Sequence, residues 1–202
     1  MNQTSRFITV LFTTASLASL TYCSERKNDG ARDAEPTKEV STSGPQATEP
    51  RLVVDKLFQE QLADVFASYV DVKNALVSSD AGQVKNEAAE TEIALAKVDM
   101  KLVSGVAHND WMTYLTPIQS SLDEIQASGN IEAQRKAFST LSDGLYNSIK
   151  AFGLGGEEAF YEYCPMAFNN EGAYWLSEND EIVNPYFGDK MLKCGEVREK
   201  LQ

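Results

Sequence analysis

Apolar residues recur at three- and four-residue steps through the middle of the chain, the mark of amphipathic helices. From Leu62 the series continues through Phe66, Tyr69, Val72 and Leu76. Ser78-Ser79-Asp80 breaks it, and Asp80 with Gln83 has the spacing of a capping box for the next helix. That second helix is predicted to run to about Val103, burying Val84, Ala88, Ile93, Ala96, Met100 and Val103, with Gly105 at the break. A third starts near His108 and places Trp111, Leu115, Ile118, Leu122 and Ile125 on one stripe. Pro117 either kinks it or opens a fresh helix with Thr116 as cap. Ser128-Gly129-Asn130 reads as a turn. The fourth helix buries Phe138, Leu141, Leu145, Ile149 and Phe152 and ends at a Gly153 C-cap. Four helices with short turns predict an all-α fold, a four-helix up-and-down bundle.

After Gly156 the pattern changes. Phe160–Tyr163 and Ala173–Leu176 are short, aromatic and strand-like, with a turn at Asn169–Gly172, and suggest a small hairpin. Asn184–Gly188 reads as an irregular loop, and Asp189 as the cap of a short last helix containing Met191 and Cys194. This tail, residues 157–202, is too small for its own core and is expected to pack on the bundle. Gly153-Leu154-Gly155-Gly156 has neither a preceding strand nor the Lys-Ser/Thr of a phosphate loop, so helix termination explains it better.

Residues 1–23 read as an export signal. Arg6 precedes an apolar run, Phe7 to Leu20, too short to span a bilayer. Leu20-Thr21-Tyr22-Cys23 is similar to the lipobox of bacterial lipoproteins, which makes Cys23 the lipidation site. Tyr22 stands where that pattern prefers a small residue, and cleavage after Ser16-Leu17-Ala18 is the other reading. Residues 24–50 are polar and poor in apolar side chains, and read as a disordered tether before a domain spanning 51–202. The membrane is therefore expected only through the N-terminal lipid, in the periplasm or at the outer membrane.

The 202 residues carry a net charge of −12 with no basic cluster, which argues against nucleic acid as a partner. No catalytic motif pairs the single histidine with a Ser or Cys nucleophile, and there is no Cys-x-x-Cys, so an enzyme is not expected.

The chemistry lies in the tail. Cys164 and Met166 are two apart and share a face if extended. Met191 and Cys194 are three apart and share a face if helical. Thiolate and thioether select soft ions, so the four would make a site for Cu(I) or Ag(I), with His108 as a further ligand or neighbour. Met112, four residues after His108, and Met100 are assigned to the core. In an exported protein the alternative for Cys164 and Cys194 is a disulfide.

Cys-Pro-Met-Ala, Gly-Ala-Tyr-Trp-Leu-Ser and Asn-Pro-Tyr-Phe-Gly-Asp-Lys-Met-Leu-Lys-Cys-Gly, with Ala107-His108 and Trp111-Met112 upstream, resemble the bacterial domain-of-unknown-function family 3347 from about Leu57 to the C-terminus. The resemblance implies a small exported protein of copper or heavy-metal handling, related to appendages of periplasmic efflux adaptor proteins. Carried over by position, it implies His108, Cys164, Met166, Met191 and Cys194 as the functional residues. The expected function is an accessory protein that binds a soft metal and passes it to an efflux adaptor; the alternative is a disulfide-stapled helical interaction module.

Overall fold

A computed structural model describes residues 47–202. The predicted export signal, Cys23 and most of the tether lie outside the described residues. Order begins earlier than Arg51. Thr48 already bridges the C-terminal strand, its N–H donating to the Lys200 carbonyl at 2.8 Å.

Four long helices form the body: α1 (Lys56–Ser78), α2 (Ala81–Ala96), α3 (Gly105–Ala127) and α4 (Ile131–Phe152). Each packs on the next, and α4 also meets α1 and α2. Their ends obey local chemistry. Asp55, Asp80 and Asn130 cap α1, α2 and α4 with side-chain oxygens that accept first-turn N–H groups. Gly153, at φ +75°, ends α4 as expected.

The expectations for the second helix and for Met112 fail, and the choice left open at Pro117 is decided. The second ends at Ala96, not Val103, followed by a single 3-10 turn, Met100–Leu102, capped by Asp99. Val84, Ala88 and Val103 are buried, but Ile93, Ala96 and Met100 are exposed, because the chain leaves the helix before the stripe is complete. Met112 is exposed as well. The third helix starts at Gly105 and continues through Pro117 without a fresh start. Thr113 and Thr116 hydroxyls bond back to the Asn109 and Met112 carbonyls within the turns before the proline.

The tail adds a three-stranded antiparallel sheet, so the fold is mostly helical and not purely all-α. Its strands are β1 (Ala159–Cys164), β2 (Ala173–Ser177) and β3 (Glu196–Leu201), in the order β2-β1-β3. The hairpin of β1 and β2 was legible; β3 was not. β2 lies on α4. Two buried charges fasten the tail to the bundle. Lys73 of α1 reaches Glu178 at 2.7 Å and the Ser177 hydroxyl at 3.3 Å. Arg135 of α4 donates to the Pro185 carbonyl at 2.9 Å, the Ser79 hydroxyl at 2.9 Å and Glu132 at 2.7 Å. Removing either partner would leave an uncompensated charge inside.

Candidate metal centre

Cys164 ends β1, the central strand, and is fully buried. Cys164 pairs with Ala173 of β2, and the preceding Tyr163 pairs with Tyr174 of β2 and Glu196 of β3, so its backbone is held. Cys194 precedes β3 and is half-buried. The two sulfur atoms lie 2.6 Å apart. Both cysteines are free.

The predicted last helix is absent. A 3-10 turn, Gly188–Lys190, replaces it, with Asp189 inside the turn and not at its cap. The reason is Asn184, which is fully buried. Its N–H donates to the Leu192 carbonyl at 2.8 Å, and its Nδ2 to the Cys194 carbonyl at 2.7 Å. Its Oδ1 accepts the Tyr186 N–H at 2.8 Å. The carbonyls a helix would need are thus committed to the Asn184-Pro185-Tyr186 loop. Gly195 follows at φ +151°, and a Cβ there would meet the Trp175 ring at 2.7 Å, so only glycine fits the turn that presents Cys194.

On the other arm, Pro165 and Met166 follow Cys164 and lead into a short turn, Ala167–Asn170. Phe168, Asn169 and Asn170 are all left-handed there, at φ +50°, +59° and +70°. Such a conformation is unusual for a bulky residue such as Phe168 and disfavoured by roughly 1–2 kcal/mol per residue. The turn closes through the Gly172 N–H on the Ala167 carbonyl at 3.0 Å. Phe168 then rests edge-on against Tyr186 at 5.3 Å. Tyr186 also packs on Phe138 and Trp175, and its hydroxyl donates to the Tyr174 carbonyl. The strained turn and the Asn184 loop therefore lean on one tyrosine.

Met166 and Met191 line the same groove of about 480 Å³, with Arg135, Tyr186, Phe187 and Lys190. Met166 is 47% exposed at this groove. Four of the five residues singled out from the sequence thus come together: the cysteines in contact, the methionines on the adjoining groove.

His108 does not join them. It lies in the first turn of α3, beside Trp111, whose ring packs on Phe58 and Phe152. Tyr186 instead meets Phe138, 14 residues before Phe152 on α4, which places the two ends roughly 20 Å apart along the helix.

Burial, and then the Cys164 sulfur beside it, push the Cys194 thiol up to about 11. The Cys194 thiol is therefore protonated near neutrality, and a metal must displace that proton. Two thiolates on one ion with metal–sulfur bonds near 2.3 Å would sit about 3.7 Å apart at a tetrahedral angle. The observed separation is shorter than that and longer than the roughly 2.05 Å of a disulfide. Among the described residues no group of three or more His, Cys, Asp and Glu side chains is placed to hold a metal.

Sequence reasoning missed the residues that build this site: Arg135, Asn184 and Tyr186. Asn-Pro-Tyr was visible as a loop, but not that its asparagine holds Cys194.

No curated protein and no solved structure matches the chain. A family model matches residues 65–157. That span includes Ala107-His108 and Trp111-Met112 and stops before Cys164, so the tail motifs and the four sulfur residues lie beyond it, and the sulfur site stands on its geometry. The helical segment of this chain, residues 65–157, belongs to the family described as protein of unknown function (DUF3347), the family its motifs resemble.

Proposed function

We propose that this is an exported accessory protein that binds a soft metal ion, Cu(I) or Ag(I), with Cys164 and Cys194 as thiolate ligands and Met166 and Met191 as thioether ligands. The observation that carries the reading is the contact of two thiols beside a groove that two thioethers line, on arms that come from distant parts of the tail. Cys164 is the fixed ligand, held in the central strand. Cys194 sits on a turn and is the one that moves out to bonding distance. Met166, exposed at the groove, is the donor an incoming ion meets first, which suits a protein that takes up and hands on a metal. The helices act as the frame, and an efflux adaptor outside the cytoplasm is the recipient this chemistry fits. His108 is not a ligand in this reading.

The sulfur–sulfur separation favours a second reading, in which the pair closes as a disulfide and the domain is a stapled interaction module. A bridge across this 30-residue separation would stabilise the tail by about 3–4 kcal/mol in the chain-entropy estimate.

Titration of the reduced, anaerobic protein with Cu(I) against a chromogenic chelator separates the two. One-to-one binding, lost on oxidation and weakened by Met166→Leu and Met191→Leu without a change in unfolding midpoint, supports the metal site. Binding unchanged in both methionine variants, or no competition with the chelator at all, refutes it.

A further inference from the structure

The exposed large apolar side chains are not scattered. Val53, Leu57, Ile93, Met100, Val106 and Met112 gather at one end of the bundle, and the seventh, Met166, belongs to the groove at the other. They come from the start of α1, the end of α2 and the start of α3, and contacts tie these together. Arg51 reaches the Tyr114 hydroxyl at 3.0 Å and Asp110 at 3.8 Å. The Asp99 N–H donates to Gln61 Oε1 at 2.9 Å, and Phe58 packs on Trp111. Val53 is fully solvated and Val106 is 66% exposed, so neither serves the core. Lys97 and Lys101, both exposed, flank Met100.

The first described residues lie at this same end. The Arg51 and Leu52 N–H groups bond the Lys150 and Ala151 carbonyls at the last turn of α4. The 46 residues before Ala47 contain the apolar run Phe7–Leu20 and Cys23. We infer that this end of the domain lies against a lipid surface, with the valines and methionines among the acyl chains and the Lys97 and Lys101 ammonium groups at the phosphates. Apolar side chains edged by lysines whose stems reach up to the headgroups are what an interfacial contact requires. No helix among the described residues is long and apolar enough to cross a membrane, so the contact is peripheral. An apolar end adds a second attachment to the lipid expected at Cys23. The sulfur groove, at the far end of the 23-residue α1, then faces away from the bilayer.

This inference rests on the export reading of the N-terminus and not on the metal site. The test is photo-crosslinking of the full chain, exported in its host envelope, with a diazirine amino acid replacing Val106, Met112 or, as control, Met166. Mass spectrometry identifies the adducts. Phospholipid adducts at positions 106 and 112, with few at 166, are expected. Val53→Asp, at a solvated position that leaves the core alone, should lower the yield at 112 about tenfold, the ratio expected from taking one valine out of lipid. Adducts to a second copy, to another protein or to water alone at 106 and 112, or equal lipid labelling at 166, overturn it. Cu(I) titration of the same preparations reports separately on the groove.

Discussion

Glu162 is fully buried on β1, two residues before Cys164 and on the same face of the strand. The β1–β3 register shifts at Tyr161/Glu162, an irregularity that falls beside this inward-facing carboxylate. Its Oε2 accepts from the Ser177 hydroxyl at 3.0 Å, while its Oε1 has no partner. Burial pushes its ionisation up to about 7, against the downward pull of the Ser177 hydroxyl and the Lys73 ammonium. Since the folded value lies above the unfolded one, the native state holds the proton more tightly. The contribution to stability is complete below about pH 4.5 and is lost as the pH rises through 7. A rise of about 2.5 units corresponds to about 3 kcal/mol between the two limits. Glu162→Gln keeps the shape and an acceptor for Ser177 and cannot ionise. The variant should therefore gain up to about 3 kcal/mol relative to the parent on going from pH 5 to pH 8.5. Urea unfolding of both reduced proteins at the two pH values measures this, and the difference between them cancels every other titrating group. The competing account is that ionised Glu162 serves Lys73 as a counter-ion. It predicts the opposite sign, with the glutamine variant losing ground at high pH. A parent and variant with parallel pH profiles would refute the burial argument altogether.

His108→Ala should leave Cu(I) affinity within about twofold of the parent, and a loss beyond about tenfold, or some 1.4 kcal/mol, would place the histidine in the site after all. Because the Cys194 thiol is raised to about 11, its alkylation by iodoacetamide should be slow at pH 7 and quicken about tenfold per pH unit up to that value. A rate that levels off near pH 8.5 would show an ordinary thiol and refute the upward push that burial and the Cys164 sulfur give it.

The helices were legible because each carries its own instructions. Asp80 sits where an N-cap belongs, and its Oδ1 accepts both the Gly82 and Gln83 N–H groups at 3.0 Å. The error at the end of α2 has a physical cause. Ile93, Ala96 and Met100 continue the helical period, but nothing packs on them, and periodicity alone does not reveal whether a neighbour exists. β3 was hidden for the opposite reason. Glu196-Val197-Arg198-Glu199-Lys200-Leu201 has the charge of a solvated surface, which is how edge strands are protected. The cysteine–methionine pairs were legible from ligand chemistry. Their convergence was not, because it depends on Arg135, an interior cation on a helix whose sequence reads as surface, and on the three roles of Asn184.

The two readings of the sulfur pair ask different movements of the same frame. Closing a disulfide requires the sulfurs to approach by roughly half an ångström, while seating a metal requires them to part by about one. Cys164 is fully buried and fixed by its pairing with Ala173 of β2, so either movement falls to Cys194. That residue hangs between the 3-10 turn and Gly195, with the Cys194 N–H on the Met191 carbonyl at 3.0 Å and its own carbonyl on Asn184. A shift of Cys194 therefore carries Met191 with it. A staple alone would not need its mobile half coupled to a methionine. The coupling is intelligible if the turn was built to bring two sulfur ligands to one ion, with the disulfide as the state it falls back to when no metal is present in an oxidising compartment.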